Sequence, residues 1–237
     1  EASGRLDSAH KLRSVCAQVW RYGVASGRAE RDIAHDLRGA LAPLQRRSMS
    51  TVLDPEKVGA LLRDLDEYQG DFATRCYLQL APLCLLRPSE LRRTRWAEVS
   101  LGDGEIRIPF ERMKLRKAVK TARQGETAHI VPLSRQSVEI LRRLFEVTGC
   151  HELVFASPHL GHKRPIAPQT PISALRRLGY AGTEQTVHGF RAMASTLLHE
   201  LGFDSDLIEK QLAHADRNQI RARYNHADFL DQRRKML

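Results

Sequence analysis

At 237 residues, 42% of them hydrophobic, the chain can bury a sizeable core, and no apolar run approaches the ~18 residues of a membrane span. A net charge of +10 and a pI near 9.8 point to a polyanionic partner. Aromatics at 6%, not interleaved with the basic residues, argue against a single-strand stacking platform and favour duplex DNA; no basic amphipathic helix with aromatic anchors suggests a membrane surface.

Residues 9 to 26 set Leu12, Val15, Cys16, Val19, Trp20 and Gly23 on one stripe, which predicts an amphipathic helix whose apolar face needs a partner. Arg28 to Ser50 lacks periodicity and reads as a linker. Residues 1–47 are therefore expected to be the tail of a truncated helical domain plus that linker, in a chain that opens at Glu1 as a fragment would. Asp54-Pro55 is a helix start, cap then proline, with Val58, Leu61, Leu62 and Leu65 inward. A second, mostly apolar helix is predicted from Phe72 to Leu85, burying Cys76, Leu80, Leu83 and Cys84. In Leu86-Arg87-Pro88-Ser89-Glu90-Leu91, the proline again starts a helix and leaves Arg87 at its mouth, either pointing into a cleft or lying in a basic patch with Arg92, Arg93 and Arg95.

Trp96 to Leu133 is the β region, with Val99, Ile106 and Ile108 around a Gly102-Asp103-Gly104 turn and a later strand at 129–133. Between them, residues 112 to 123 hold six basic residues and no acidic one: Arg112, Lys114, Arg116, Lys117, Lys120 and Arg123. Such a run is a solvated loop or, in a DNA-binding protein, a phosphate-contacting one. Ser134 caps a helix with Val138, Leu141, Leu144 and Phe145 inward; 153–155 reads as a short strand and 171–178 as a helix. Cys150, His151, His159 and His162 fit no usual zinc spacing, and no metal is expected. The four cysteines lack Cys-x-x-Cys spacing and read as reduced core cysteines of a cytosolic protein.

The stretch from Thr186 to Tyr224 organises the rest. His188 and Arg191, three apart at a helix start, project an imidazole and a guanidinium from one face, a pair suited to a phosphate. That helix runs through Met193, Leu197, Leu198 and Leu201 and stops at Gly202. Asp204 caps the next, with Leu207, Ile208 and Leu212 inward and His214 at its end. Asp216 can cap a turn in which Ile220 and Tyr224 share a face, and a final charged helix begins at His226. Each signal is weak alone, but their order is specific.

The set Arg87, a hairpin lysine, His188-x-x-Arg191, His214 and Tyr224 resembles the catalytic set of the tyrosine recombinase, or phage integrase, family. The segments Leu86 to Leu91, Glu111-Arg112-Met113-Lys114, His129 to Ser134, His188-Gly189-Phe190-Arg191 and Gln211-Leu212-Ala213-His214 look like its prophage and genomic-island branch. The likeness covers residue 50 to the end, and Leu12 to Leu44 is similar to the last part of a core-binding domain. It implies a mainly α fold with a small antiparallel β-sheet, an α+β tyrosine-recombinase-like catalytic domain at 48–237, and a core-binding remnant at 1–47. The family has glycine where Ala213 stands.

By that resemblance Tyr224 attacks a DNA phosphodiester to form a 3′-phosphotyrosyl link. Arg87 and Arg191 clamp the phosphate oxygens, His214 bonds the same phosphate and His188 helps deprotonate the tyrosine, with Glu90 in support. Lys114 protonates the leaving 5′-oxygen, in competition with Lys117 and Lys120. Arg112, Arg116, Lys117, Lys120 and Arg123 contact DNA. No cofactor is implied. The implied partners are duplex DNA attachment sites, further protomers in a synaptic tetramer and accessory DNA-bending factors, on the nucleoid of a bacterial cytoplasm. A type IB topoisomerase and a non-catalytic DNA-binding protein are the alternatives.

Overall fold

The computed structural model describes residues 5–43, 50–113, 128–214 and 229–237. The chain divides into two compact units, Glu1–Ser48 and Met49–Leu237. In the first, α1 (Leu6–Ala25) buries no residue; Leu12, Val15 and Val19 of its stripe are exposed, as is Tyr22. The stretch expected to be irregular holds a 3-10 turn, Ile33–His35, capped by the Asp32 carboxylate on the Ala34 amide at 3.1 Å.

The second unit is built around α3 (Phe72–Cys84), which packs against α2 (Pro55–Asp66), α4 (Pro88–Arg92), α5 (Arg135–Thr148), α6 (Gln169–Arg177) and α7 (Gly189–Glu200). Its residues Cys76, Tyr77, Leu78, Leu80 and Cys84 are fully buried. Asp71 accepts from the Thr74 amide at 2.9 Å to start α3. Pro82 lacks the N–H that the last turn would use, and Leu85 ends the helix in the left-handed region at φ 54°. Asp54 caps α2 on the Lys57 amide and Ser134 caps α5 on the Ser137 amide.

Strands β1 (Val99–Ser100), β2 (Glu105–Pro109) and β3 (Ala128–Pro132) form an antiparallel sheet in the order β1-β2-β3, with Ile106 opposite Val131 and Ile108 opposite His129. Ile106, Ile108 and Val131 are fully buried in the main core. Helices α8 (Ser205–Gln211) and α9 (Leu230–Met236) pack on each other, α8 also on α7 and α9 also on β3. A smaller cluster of Leu85, Leu198, Ile208, Leu212 and Met236 joins them.

Several expectations fail. Of the four cysteines expected in the core, Cys76 and Cys84 are buried, but Cys16 is half-buried on α1 and Cys150 is exposed. Leu62 lies at the edge of the Val58–Leu61–Leu65 stripe and is exposed. Phe145 is also exposed, resting edge-on against Trp96 with ring centroids 4.9 Å apart. Residues 153–155 form no strand, only a bridge from Leu153 to Arg95, although Val154 and Phe155 are fully buried. The final helix is described from Leu230 rather than from His226, and the turn expected over 216–224 lies outside the described residues.

Candidate active site

The site grows from the start of α7. Gln185 is fully buried and its side-chain oxygen accepts from the Val52 amide at 2.9 Å, while Thr186 accepts from the Gly189 amide at 2.9 Å. These bonds press the helix start against residues 50–52. A Cβ on Gly189 would lie 2.4 Å from the Ser50 carbonyl oxygen, so only glycine fits between His188 and Phe190. Arg191 then falls on the buried side of the first turn, 5% exposed.

Its guanidinium is held by backbone. Nη1 donates to the Leu85 carbonyl, Nη2 donates to the Leu212 carbonyl at 2.9 Å, and Nη2 also lies 3.3 Å from His214 Nε2. Each carbonyl adjoins a left-handed residue: Leu85 is itself one at φ 54°, and Leu212, in ordinary helical backbone, precedes Ala213 at φ 49°. For residues with a Cβ that conformation costs roughly 1–2 kcal/mol each, so the backbone is distorted where it receives Arg191. Burial first, then the charge of Arg87, brings the Arg191 pKa down to about 10, with Glu90 and Glu209 opposing.

Arg87 stands before α4 in extended backbone, the conformation favoured ahead of Pro88. Buried Glu90 holds it twice: one carboxylate oxygen accepts from Arg87 Nη1 at 2.9 Å, the other from the Arg87 amide at 3.2 Å. The Arg87 side chain stays about a fifth exposed. His214 lies more open, with Nδ1 2.7 Å from Glu209 Oε2. That pairing favours a proton on Nδ1 and leaves Nε2 to accept from Arg191. His188 presents its ring beside them. Desolvation of the ring, then the charges of Arg191, Arg87 and His214, lower its pKa and hold it neutral at pH 7.

The described residues therefore bring together Arg87, Glu90, His188, Arg191 and His214. A cavity of about 360 Å3 adjoins them, lined by Tyr77, Pro88, Ser89, Ile172, Val187 and His188 among others. Arg112 was expected to face phosphate, but its guanidinium is committed within the protein: Nη1 donates to the Arg93 carbonyl at 2.5 Å and Nη2 pairs with Glu98. That ties the end of the hairpin strand to the turn after α4. Lys114, Arg116, Lys117, Lys120, Arg123 and Tyr224 lie outside the described residues.

Behind this set is a layer to which pattern reading gave no role, although Gln211 and His129 open segments that carry the resemblance. Gln211, fully buried, donates to the Cys84 carbonyl at 3.2 Å, and its own carbonyl oxygen lies 3.3 Å from His129 Nε2. Buried Arg233 donates to Gln211 Oε1 through Nε at 2.9 Å and Nη2 at 2.7 Å. Glu209 on His214 was missed as well. Among the described residues no group of three metal-ligating side chains forms; His151 and His162 stack face to face with ring centroids 4.1 Å apart.

A mainly helical domain with a three-stranded antiparallel sheet and this arrangement of arginines and histidines defines a catalytic domain of the tyrosine recombinase class. The chain belongs to the phage integrase family: residues 51–230 match the Phage integrase family and residues 1–40 match the Phage integrase central domain. It is similar to the putative protein IntB of Escherichia coli (strain K12), 38% identical over all of this chain and 61% of that protein. It is also similar to the integrase of Enterobacteria phage P4, 37% identical over all of this chain and 55% of that one. The chain thus spans little more than half the length of these relatives. Among solved structures, a lambda integrase tetramer bound to a Holliday junction shares the fold, with a TM-score of 0.65 at 18% identity over 92% of this chain and 61% of that chain.

Proposed function

We propose that the chain is the catalytic part of a site-specific DNA recombinase that integrates or excises a mobile element. The observation that carries this reading is the convergence of Arg87, His188, Arg191 and His214, from three separate segments, close enough that His188 responds to the charges of the other three. Two planar guanidinia offer the forked donors that suit the non-bridging oxygens of a phosphodiester, and they stabilise the charge of its pentacoordinate state. Arrival of the phosphate would exchange the Arg191–His214 contact for bonds from both to the ligand.

In this reading Tyr224 Oη attacks phosphorus, its proton passes toward neutral His188, and the P–O5′ bond breaks. Lys114, or Lys117 or Lys120 in its place, protonates the leaving 5′-oxygen. The ester energy is kept in the 3′-phosphotyrosyl bond, so a 5′-hydroxyl can reverse the step without a cofactor. Glu90 orients Arg87, and Arg116, Lys117, Lys120 and Arg123 bind phosphates of the flanking duplex. Residues 1–47 are the end of a core-binding domain plus its linker, and 48–237 the catalytic domain. The partners are duplex attachment sites, further protomers in a synaptic tetramer and DNA-bending accessory factors; the setting is the bacterial nucleoid.

The test is a nicked attachment site that loses a short 5′-hydroxyl fragment after cleavage and so cannot be resealed. Wild-type protein should accumulate a denaturant-resistant DNA adduct, with or without a chelator, and peptide mapping should place it on Tyr224. Tyr224→Phe should bind the same DNA and form none. An adduct in the phenylalanine variant refutes the nucleophile; supercoil relaxation without joining of paired sites returns a type IB topoisomerase.

A further inference from the structure

Arg233 is among the largest fully buried side chains of the protein, and strand cleavage as described above gives it no task. It comes from α9 and, among the described residues, reaches Gln211 and Ile130. Nε and Nη2 both donate to Gln211 Oε1, at 2.9 and 2.7 Å, and Nη2 donates to the Ile130 carbonyl on β3 at 2.6 Å. A guanidinium taken out of water is costly unless its donors are met, so it is placed for what it joins.

What it joins is the frame of the site. Gln211 passes the connection on by donating to the Cys84 carbonyl, and the next carbonyl along, that of Leu85, receives Arg191. Arg191 in turn holds the Leu212 carbonyl, next to Gln211. The pairs Cys84–Leu85 and Gln211–Leu212 are thus cross-linked twice, once by the Gln211 amide and once by Arg191, with Arg233 bracing the Gln211 side. His214 lies three residues beyond Gln211.

We propose that Arg233 is a positioning residue for strand cleavage: its clasp on Gln211 and Ile130 sets the register of the Leu212–His214 turn against Arg191. The proposal rests on the recombinase reading. It makes Arg233 act through Gln211 and not by contact with DNA. The neighbouring Arg234 has a separate role, anchoring α9 at its edge through Glu105 Oε2 at 2.9 Å and the Asp103 carbonyl at 2.8 Å.

The experiment compares wild type, Arg233→Met and Arg233→Lys on the nicked site. Arg233→Met should lower the adduct rate at saturating DNA ~10- to 100-fold, the scale of a misplacement near 1 Å, while the Kd for DNA stays within about twofold. The midpoint of the rate-against-pH curve should not move. Arg233→Lys should lie between, because one ammonium cannot span both acceptors in the forked geometry. Hydrogen exchange supplies a readout independent of activity: amides of 229–237 should lose protection in Arg233→Met while those of α3 keep theirs. A wild type that forms no adduct refutes the recombinase reading, and this proposal with it. If wild type cleaves, an Arg233→Met rate within twofold of it overturns this proposal alone, as does a loss of rate matched by loss of DNA affinity and of α3 protection. Should Arg233→Met fail to fold, Arg233→Lys decides, since an unchanged rate in that variant removes the need for the fork.

Discussion

The two arginines of the site are held in opposite ways. Arg191 is buried and grips two backbone carbonyls, at Leu85 and before Ala213, so it is at once a charge aimed at the site and a tie between distant segments. Arg87 is partly exposed and is held by a carboxylate three residues away on its own short helix. One is anchored through tertiary structure, the other through its neighbour in sequence. The same residue type can therefore serve one phosphate while differing widely in what the fold loses when it is removed.

The largest effect should separate the two. Both Arg191→Ala and Arg87→Ala are expected to lower the adduct rate by at least ~100-fold, as loss of a charge-assisted contact to the transition state does. Only Arg191→Ala should also cost roughly 2–6 kcal/mol of stability, because two buried carbonyls lose their donor. Arg87→Ala orphans one carboxylate that keeps its bond to the Arg87 amide, and about 1–2 kcal/mol is expected. Denaturant melts beside adduct kinetics check this. Equal stability losses would erase the distinction.

The same contrast explains what could be read from the chain. The caps at Asp54, Ser134 and Asp204 bond amides two or three residues ahead, so residue type and spacing suffice to find them. Arg87, Glu90, His188, Arg191 and His214 were legible through their order and local motifs. Gln211, His129 and Arg233 were not, since their partners are backbone groups or side chains 22 to 127 residues away, and any residue offers a carbonyl. The pairing of Arg112 was not legible either, because a run of positive charge does not reveal that Glu98 takes one of its members. The stripe on α1 correctly signalled a helix, yet periodicity names a face without naming what covers it. Ala213 was visible as a departure from the family's glycine; its left-handed backbone was not.

His188 sharpens the comparison at intermediate size, because both arginines act on it. Its pKa lies below 6.5 through desolvation first, then Arg191, then Arg87. The unfolded chain therefore binds more protons than the native one as pH falls through 6.5. Stability at this residue declines on acidification below that value and is recovered as pH rises back to it. The acidic limb of kcat/KM for adduct formation, which reports the free protein, should accordingly have its midpoint below 6.5. The His188 ring titration followed by NMR in Arg87→Ala should move back toward 6.5, and in His188→Gln the acidic loss of stability should shrink. A wild-type ring midpoint above 6.5 would contradict the arrangement of charges.

The smallest effect concerns the distorted backbone that receives Arg191. Of its two left-handed residues, Leu85 cannot be tested alone, since its side chain is part of the cluster with Leu198, Ile208, Leu212 and Met236. Ala213 can. Glycine there relieves the ~1–2 kcal/mol of left-handed strain. Against that stand the greater freedom of the unfolded chain, about 0.5–1 kcal/mol, and the loss of one buried methyl, about 0.8 kcal/mol. The terms nearly cancel, so Ala213→Gly should leave the melting temperature within ~2 °C of wild type and the adduct rate within about twofold. Ala213→Val places a β-branched side chain at the same φ, where it fits far worse, and should lower both stability and rate by moving the Leu212 carbonyl off Arg191. If valine is tolerated as well as glycine, the left-handed turn before His214 does not hold the arginine, and Arg191 would owe its position to the Leu85 side alone.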